Sequence, residues 1–138
     1  MMKYYFFLFA IIAMVSCQES MEERCAREAR SYTKKHCPML VTKDIILDSM
    51  SFDKASHTIG YHYSVKGLLD DAELINRNMP RDLLLKEVKN SPHLKLYKEA
   101  GYNFRYVYYS TKKKGCFQPL FYGILEKVLL FRQYKEAL

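Results

Sequence analysis

Nowhere in the chain is there a glycine-rich phosphate loop, a Gly-x-Ser-x-Gly elbow or a Cys-x-x-Cys pair. Those absences remove the backbone cradle for nucleotide phosphates, the sharp turn that presents a nucleophilic serine, and the paired thiolates of a zinc site. Tryptophan is missing, glycine is limited to five residues, and neither an internal repeat nor a low-complexity linker is found. His57 and His62 stand at odd spacing in one strand-like run, which sends them to opposite faces and suits no two-histidine metal site. His36 adjoins Cys37, but sequence neighbours rarely align for proton transfer. Asp70 and Asp71 precede a helical stretch, where acids stabilise the helix dipole. The sequence therefore points to no catalytic residue, no metal ligand and no cofactor, and it disfavours an enzyme.

What is present describes one ordinary folded domain. The 138 residues suffice for one domain and not comfortably for two, and 49% hydrophobic with 27% charged residues is globular composition. A formal charge of +7 suits anionic partners, and it equally serves solubility.

The longest apolar run is Phe6–Val15, preceded by Lys3 and followed at once by the polar Gln18–Arg27. It falls well short of the roughly 20 residues that a spanning helix needs, so residues 1–17 read as an export signal and 18–138 as the mature domain. The run ends in Met14-Val15-Ser16-Cys17. This resembles the lipobox of bacterial lipoproteins, with methionine where leucine is usual. The resemblance implies that Cys17 becomes the lipid-modified first residue and anchors the protein to a membrane. Gln18 after it implies the outer membrane of a Gram-negative cell envelope. Ordinary signal cleavage, releasing a soluble secreted protein, is the alternative.

If lipid takes Cys17, an odd set of Cys25, Cys37 and Cys116 remains in an oxidising compartment. Cys25 and Cys37 fall at opposite ends of one predicted helix, about 18 Å apart at 1.5 Å per residue, too far to bridge. Cys37 with Cys116 is the favoured pair; Cys25 is then a small buried residue or an alternative partner of Cys116.

Periodicity supplies the elements. Glu19–His36 reads as a helix, capped by Ser20 with Glu23 three positions on, with Met21, Cys25, Ala29 and Tyr32 on one face. Val41–Phe52 and His57–Val65 read as two strands of a hairpin joined by the Asp53–Ser56 turn, with Gly60 marking a bulge or a weakness. Leu68–Met79 is a short helix or a covering loop, and Arg81–Lys89 is helical. Ser91 caps a further helix that starts at Pro92 and stops at Gly101, with Leu94, Tyr97 and Ala100 buried. In Tyr102–Thr111, Tyr102, Phe104, Tyr106 and Tyr108 share one face, matching Ile59, Tyr61, Tyr63 and Val65 upstream. Cys116–Ile124 is a return strand in which Pro119 demands an edge or a bulge. Leu125–Leu138 leans to helix, with a strand at Val128–Phe131 as the alternative.

The sum is an α+β domain with helices on one face of an antiparallel sheet of about four strands. Helix followed by meandering sheet is similar to cystatin-like and NTF2-like exported domains, a likeness of fold that transfers no activity. The glutamine-valine-glycine loop of cystatins has no counterpart here. Gly101–Tyr106 partly resembles the RNP1 strand of RNA-recognition motifs, but Ala100, Asn103 and Arg105 depart from that pattern, and an exported protein does not meet RNA. The reading is thus a non-enzymatic binding or structural domain without nucleic acid, engaging a protein or envelope component. His62, Arg105, Val107 and Tyr109, opposite the main aromatic rows, are the candidate contact surface.

Overall fold

A computed structural model describes residues 18–78, 81–112 and 119–125. Helix α1 (Met21–His36) starts on the expected capping box. The Glu23 amide donates to Ser20 Oγ at 3.1 Å, and the Ser20 amide donates to Glu23 Oε2 at 3.2 Å. Glu22 and Glu23 in the first turn and Lys34, Lys35 and His36 in the last complement the dipole. Cys25 and Ala29 are buried, Tyr32 is half-buried, and Met21 is exposed.

The run expected as a single strand over 41–52 is broken at Lys43-Asp44 into β1 (Met39–Thr42) and β2 (Ile45–Asp53). Strand β3 (Thr58–Val65) returns antiparallel to β2. The intervening turn is held by the Asp53 carboxylate, which accepts from the Ala55 amide at 3.1 Å and from Ser56 Oγ at 2.6 Å. A 3₁₀ turn (Gly67–Leu69) and helices α2 (Ala72–Asn78) and α3 (Arg81–Asn90) follow. Pro92–Leu94 is a second 3₁₀ turn leading into α4 (Lys95–Glu99), and Gly101 ends the helical region at φ +76°, a left-handed position that glycine takes without strain. Ala100, expected inside, is exposed, and Lys98 is buried in its place. The chain then forms β4 (Asn103–Ser110) and β5 (Pro119–Leu125).

The α+β class holds, with one correction to the sheet. Among the described residues it has five strands in the order β1-β2-β3-β4-β5, and β3 and β4 run parallel. The physical reason lies in the connection. The segment between them crosses the sheet as a layer of helices and re-enters at the end where β3 began, as a crossover must. Pro119 opens β5, the last strand in the order among the described residues, beside a bulge between Tyr108 and Tyr109, where a missing N–H does least harm.

Parallel pairing still brings the two aromatic rows together, Ile59 beside Phe104, Tyr61 beside Tyr106 and Tyr63 beside Tyr108. The tyrosine pairs stack at 5.1 and 4.7 Å. This face meets the helices: Cys25, Ile75, Leu84, Val88 and Tyr97 join Phe104 and Tyr106 in one core. Tyr102, Phe104 and Tyr106 are at most 5% exposed, so the rings that gave the RNP1-like pattern face inward.

Asp70, at the end of the first 3₁₀ turn, fixes the start of the layer to the end of β4. Its Oδ2 accepts from the Thr111 and Lys112 amides, each at 3.0 Å. Burial raises its pKa, but hydrogen bonds from the Ser110 hydroxyl and the Lys112 and Thr111 amides outweigh that and hold it below the ordinary 3.8. A carboxylate lowered in the folded state stabilises it fully above the unfolded value and loses that contribution as pH falls through the folded one. Urea unfolding at pH 7 and pH 3 should therefore show wild type ahead of Asp70→Asn at the higher pH, with the gap shrinking in acid. A gap independent of pH rejects this role.

Candidate functional site

The face of the sheet turned away from the helices carries the predicted contact residues. Register places Arg105 beside Gly60, Val107 beside His62 and Tyr109 beside Ser64. The rings of His62 and Tyr109 stack at 6.2 Å. Arg105 and Tyr109 are half-buried, whereas Val107 is 3% exposed and so forms the floor between its neighbours rather than a reachable contact.

Ser51, which sequence reasoning passed over, joins this group. Register sets it opposite Gly60, and its Oγ is hydrogen-bonded to His62 Nε2 at 2.9 Å. Gly60 is not a bulge; the irregularity lies at Asp48, between Leu47 and Ser49. A β-carbon at 60 would stand 2.6 Å from Ser51 Oγ, 3.2 Å from His62 Nε2 and 3.7 Å from Arg105 Nε, so a larger residue there would displace the Ser51 hydroxyl from its place beside His62. Three polar groups thus converge over a glycine floor, and the buried Arg105 Nε has no hydrogen-bond partner among the described residues. Burial first, then the Arg105 charge, lowers the His62 pKa against a smaller opposing effect of Asp48, so its ring is neutral at pH 7.

A hydroxyl on a neutral imidazole is half of an acyl-transfer apparatus. The orienting carboxylate is not in place among the described residues, because Asp48 instead accepts from Ser64 Oγ at 2.5 Å. His57 lies away from this group, bonded through Nε2 to Glu22 at 2.7 Å and packed on Tyr102. Among the described residues Cys25 and Cys37 form no disulfide, and the expected pairing of Cys37 with Cys116 involves a residue outside them. Cys17 and Cys116, and the segment 126–138, lie outside the described residues.

On the other side of the sheet, a cavity of about 240 Å³ opens between α1, the Pro92–Leu94 turn, α4 and strands β2 and β3. Tyr32, Tyr61 and Tyr97 give it aromatic walls, and Met50, Ile59 and Leu94 give it aliphatic ones. Its polar end holds Glu28, which accepts the Tyr97 hydroxyl and, at 2.8 Å, Arg24 Nε. Glu28 is partly desolvated, but Arg24 and Tyr97 outweigh that and keep its pKa low, so it is ionised. Burial and the Glu28 charge push the neighbouring Cys25 thiol up to about 11, which leaves it protonated and inert. The helical period marked Cys25, Ala29 and Tyr32 as one apolar face; that the face leaves space over the sheet has no signal in sequence.

Comparison with known proteins gives a fold and a family. The crystal structure of "a putative secreted protein" from Pseudomonas aeruginosa superposes with a TM-score of 0.59 at 16% identity, covering 79% of this chain and 96% of that one. At that identity the likeness is one of fold. No curated protein matches the sequence. Residues 20–117 match the model of a domain of unknown function (DUF8479), a span that runs from the α1 cap past β4. The chain belongs to the DUF8479 family.

Proposed function

We propose that the protein is an exported, lipid-anchored binding domain of the cell envelope that performs no reaction of its own. The observation that carries this reading is the distance from Cys17 to the fold. Helix α1 begins at Met21, its cap is Ser20, and the core is assembled from Cys25 onward. Cleavage before Cys17 thus falls ahead of every element described above, with Gln18 and Glu19 between the acylated residue and the cap. The secreted description of the Pseudomonas protein of like fold agrees with export. The half-buried group of Ser51, His62, Arg105 and Tyr109, on the sheet face away from the helices, is the proposed partner face: polar, basic and ring-bearing.

Mass spectrometry of the mature protein from membrane extracts tests the reading. The expected product starts at Cys17 with acyl chains, and Cys17→Ser should lose the lipid and leave the membrane fraction. An intact Met1 rejects export, and cleavage without lipid replaces the anchor by a soluble secreted form. Labelling of Ser51 by a fluorophosphonate would reject the non-enzymatic reading.

A further inference from the structure

We propose that the cavity between α1 and the sheet binds a small organic cation, an ammonium group carried on an aryl or branched alkyl body. The chemistry of the walls selects that class. The described residues lining the cavity include one carboxylate, Glu28, three phenol rings and the His93 imidazole, and no lysine or arginine. Ring faces carry negative potential, and an ammonium enclosed by rings and a carboxylate is attracted by both. Each tyrosine is also held by a neighbour outside the cavity: Tyr61 by Tyr106 at 5.1 Å, Tyr97 by Tyr102 at 5.6 Å and Tyr32 by His36 at 4.8 Å. Such rings need no reordering when a ligand arrives, which reduces the entropic loss on binding.

Glu28 retains capacity for a further donor. A carboxylate accepts about four hydrogen bonds, and Tyr97 and Arg24 account for one on each oxygen. Arg24 is 48% exposed along its side chain and Glu28 42%, so the pair stands at the mouth of the cavity, which Glu28 lines and Arg24 does not. Ala29, Met50, Ile59 and Leu94 add hydrocarbon to the lining, and Met50 and Ile59 belong to the sheet. The ligand therefore lies with its charge toward Glu28 and its body over the sheet. An apolar cavity of about 150 Å³ holds one benzene ring. The 240 Å³ here has room for a ring with a short aminoalkyl arm.

This inference is independent of the lipid anchor and of the outer sheet face, and it is tested on the mature chain with matched probes. Phenethylammonium and phenylacetate share a body and differ in the sign of the head group. Titration followed by NMR should show saturable shifts at Cys25, Tyr32, Tyr61 and Tyr97 with the amine, at least tenfold tighter than with the acid. Glu28→Gln, which keeps the shape and the Tyr97 contact, should bring the two probes to similar weak affinity. Leu94→Trp, at the partly exposed rim, should obstruct entry of both; thermal melts of each variant show whether the fold is kept. No saturable binding of the amine to wild type rejects the site. Equal or tighter binding of the acid rejects the charge assignment, as does amine binding that Glu28→Gln leaves unchanged. Shifts confined to His62 and Arg105 would move the ligand to the outer face and reject this cavity.

Discussion

Phe104→Ala is expected to remove about 3–5 kcal/mol of stability, the range for deleting a buried phenylalanine ring, from a domain class whose net stability is about 5–15 kcal/mol. Phe104 is 0% exposed and occupies β4, flanked in register by Ile59 on β3 and by Leu125 on β5. It lies where the sheet meets the helical layer, in one core with Ile75, Leu84 and Val88. Its neighbours on that face, Tyr102 and Tyr106, cannot close the space, because each is already stacked, on Phe52 at 5.5 Å and on Tyr61 at 5.1 Å. Close-packed interiors relax only partly around a deletion, so the void adds to the lost transfer free energy. Urea unfolding followed by far-UV circular dichroism should show the midpoint collapse for alanine. Phe104→Leu, which keeps most of the volume, should lose only about 1–1.5 kcal/mol. An alanine variant within about 1 kcal/mol of wild type would mean that this ring does not organise the core.

That residue was legible before any coordinates because its evidence is local. Rings at every second position mark a strand face whatever its partner, and two such faces of equal length fit each other. The α1 cap at Ser20 and Glu23, the Asp53 turn and the stop at Gly101 were readable for the same reason: each contact spans at most a few residues. What the chain conceals is the sense and distance of return. Alternation is identical in parallel and antiparallel pairs, so the pattern over 102–110 could not disclose that the helical segment carries the chain back to the start of β3. The outer-face group shows the same limit. His62, Arg105 and Tyr109 follow from alternation, whereas Ser51 enters only through the β2–β3 register and Gly60 only through the space it leaves. The cavity needs α1, α4 and two strands at once, and no window of sequence contains them.

Lys98 is the extreme case, and its replacement is the second large effect expected. The period of the 92–100 segment gives no reason to separate it from Lys95, yet Lys98 is 7% exposed and the Lys95 side chain is 72% exposed. Its ammonium donates to the carbonyls of Val88 at 2.9 Å, Lys89 at 2.9 Å and Ser91 at 2.8 Å. Those oxygens belong to the last turn of α3 and the residue just past it, where a helix has carbonyls without intrahelical partners and the negative end of its dipole. Lys98 thus acts as a C-terminal cap supplied by another helix, and the burial of its charge is compensated by three acceptors. Lys98→Met keeps the aliphatic stem and removes this donor from all three carbonyls; Val88 O keeps the Ser91 amide at 3.3 Å, and each acceptor left without a donor costs on the order of 1–3 kcal/mol where water cannot reach it. Some of that is recovered by local rearrangement, and a net loss of about 2–4 kcal/mol, roughly 10 °C in midpoint, is expected. Lys95→Met on the same short helix breaks only an exposed pair with Glu99 at 3.7 Å and should change stability by less than about 0.5 kcal/mol. Thermal melts of the two variants side by side decide the matter. Because the Lys98 side chain is buried, with its bond to Val88 buried and those to Lys89 and Ser91 part-buried, its effect should persist in 1 M salt, where surface pairs are screened. Equal melting points for the two methionine variants would show that the three carbonyls find other donors and that Lys98 is not the cap.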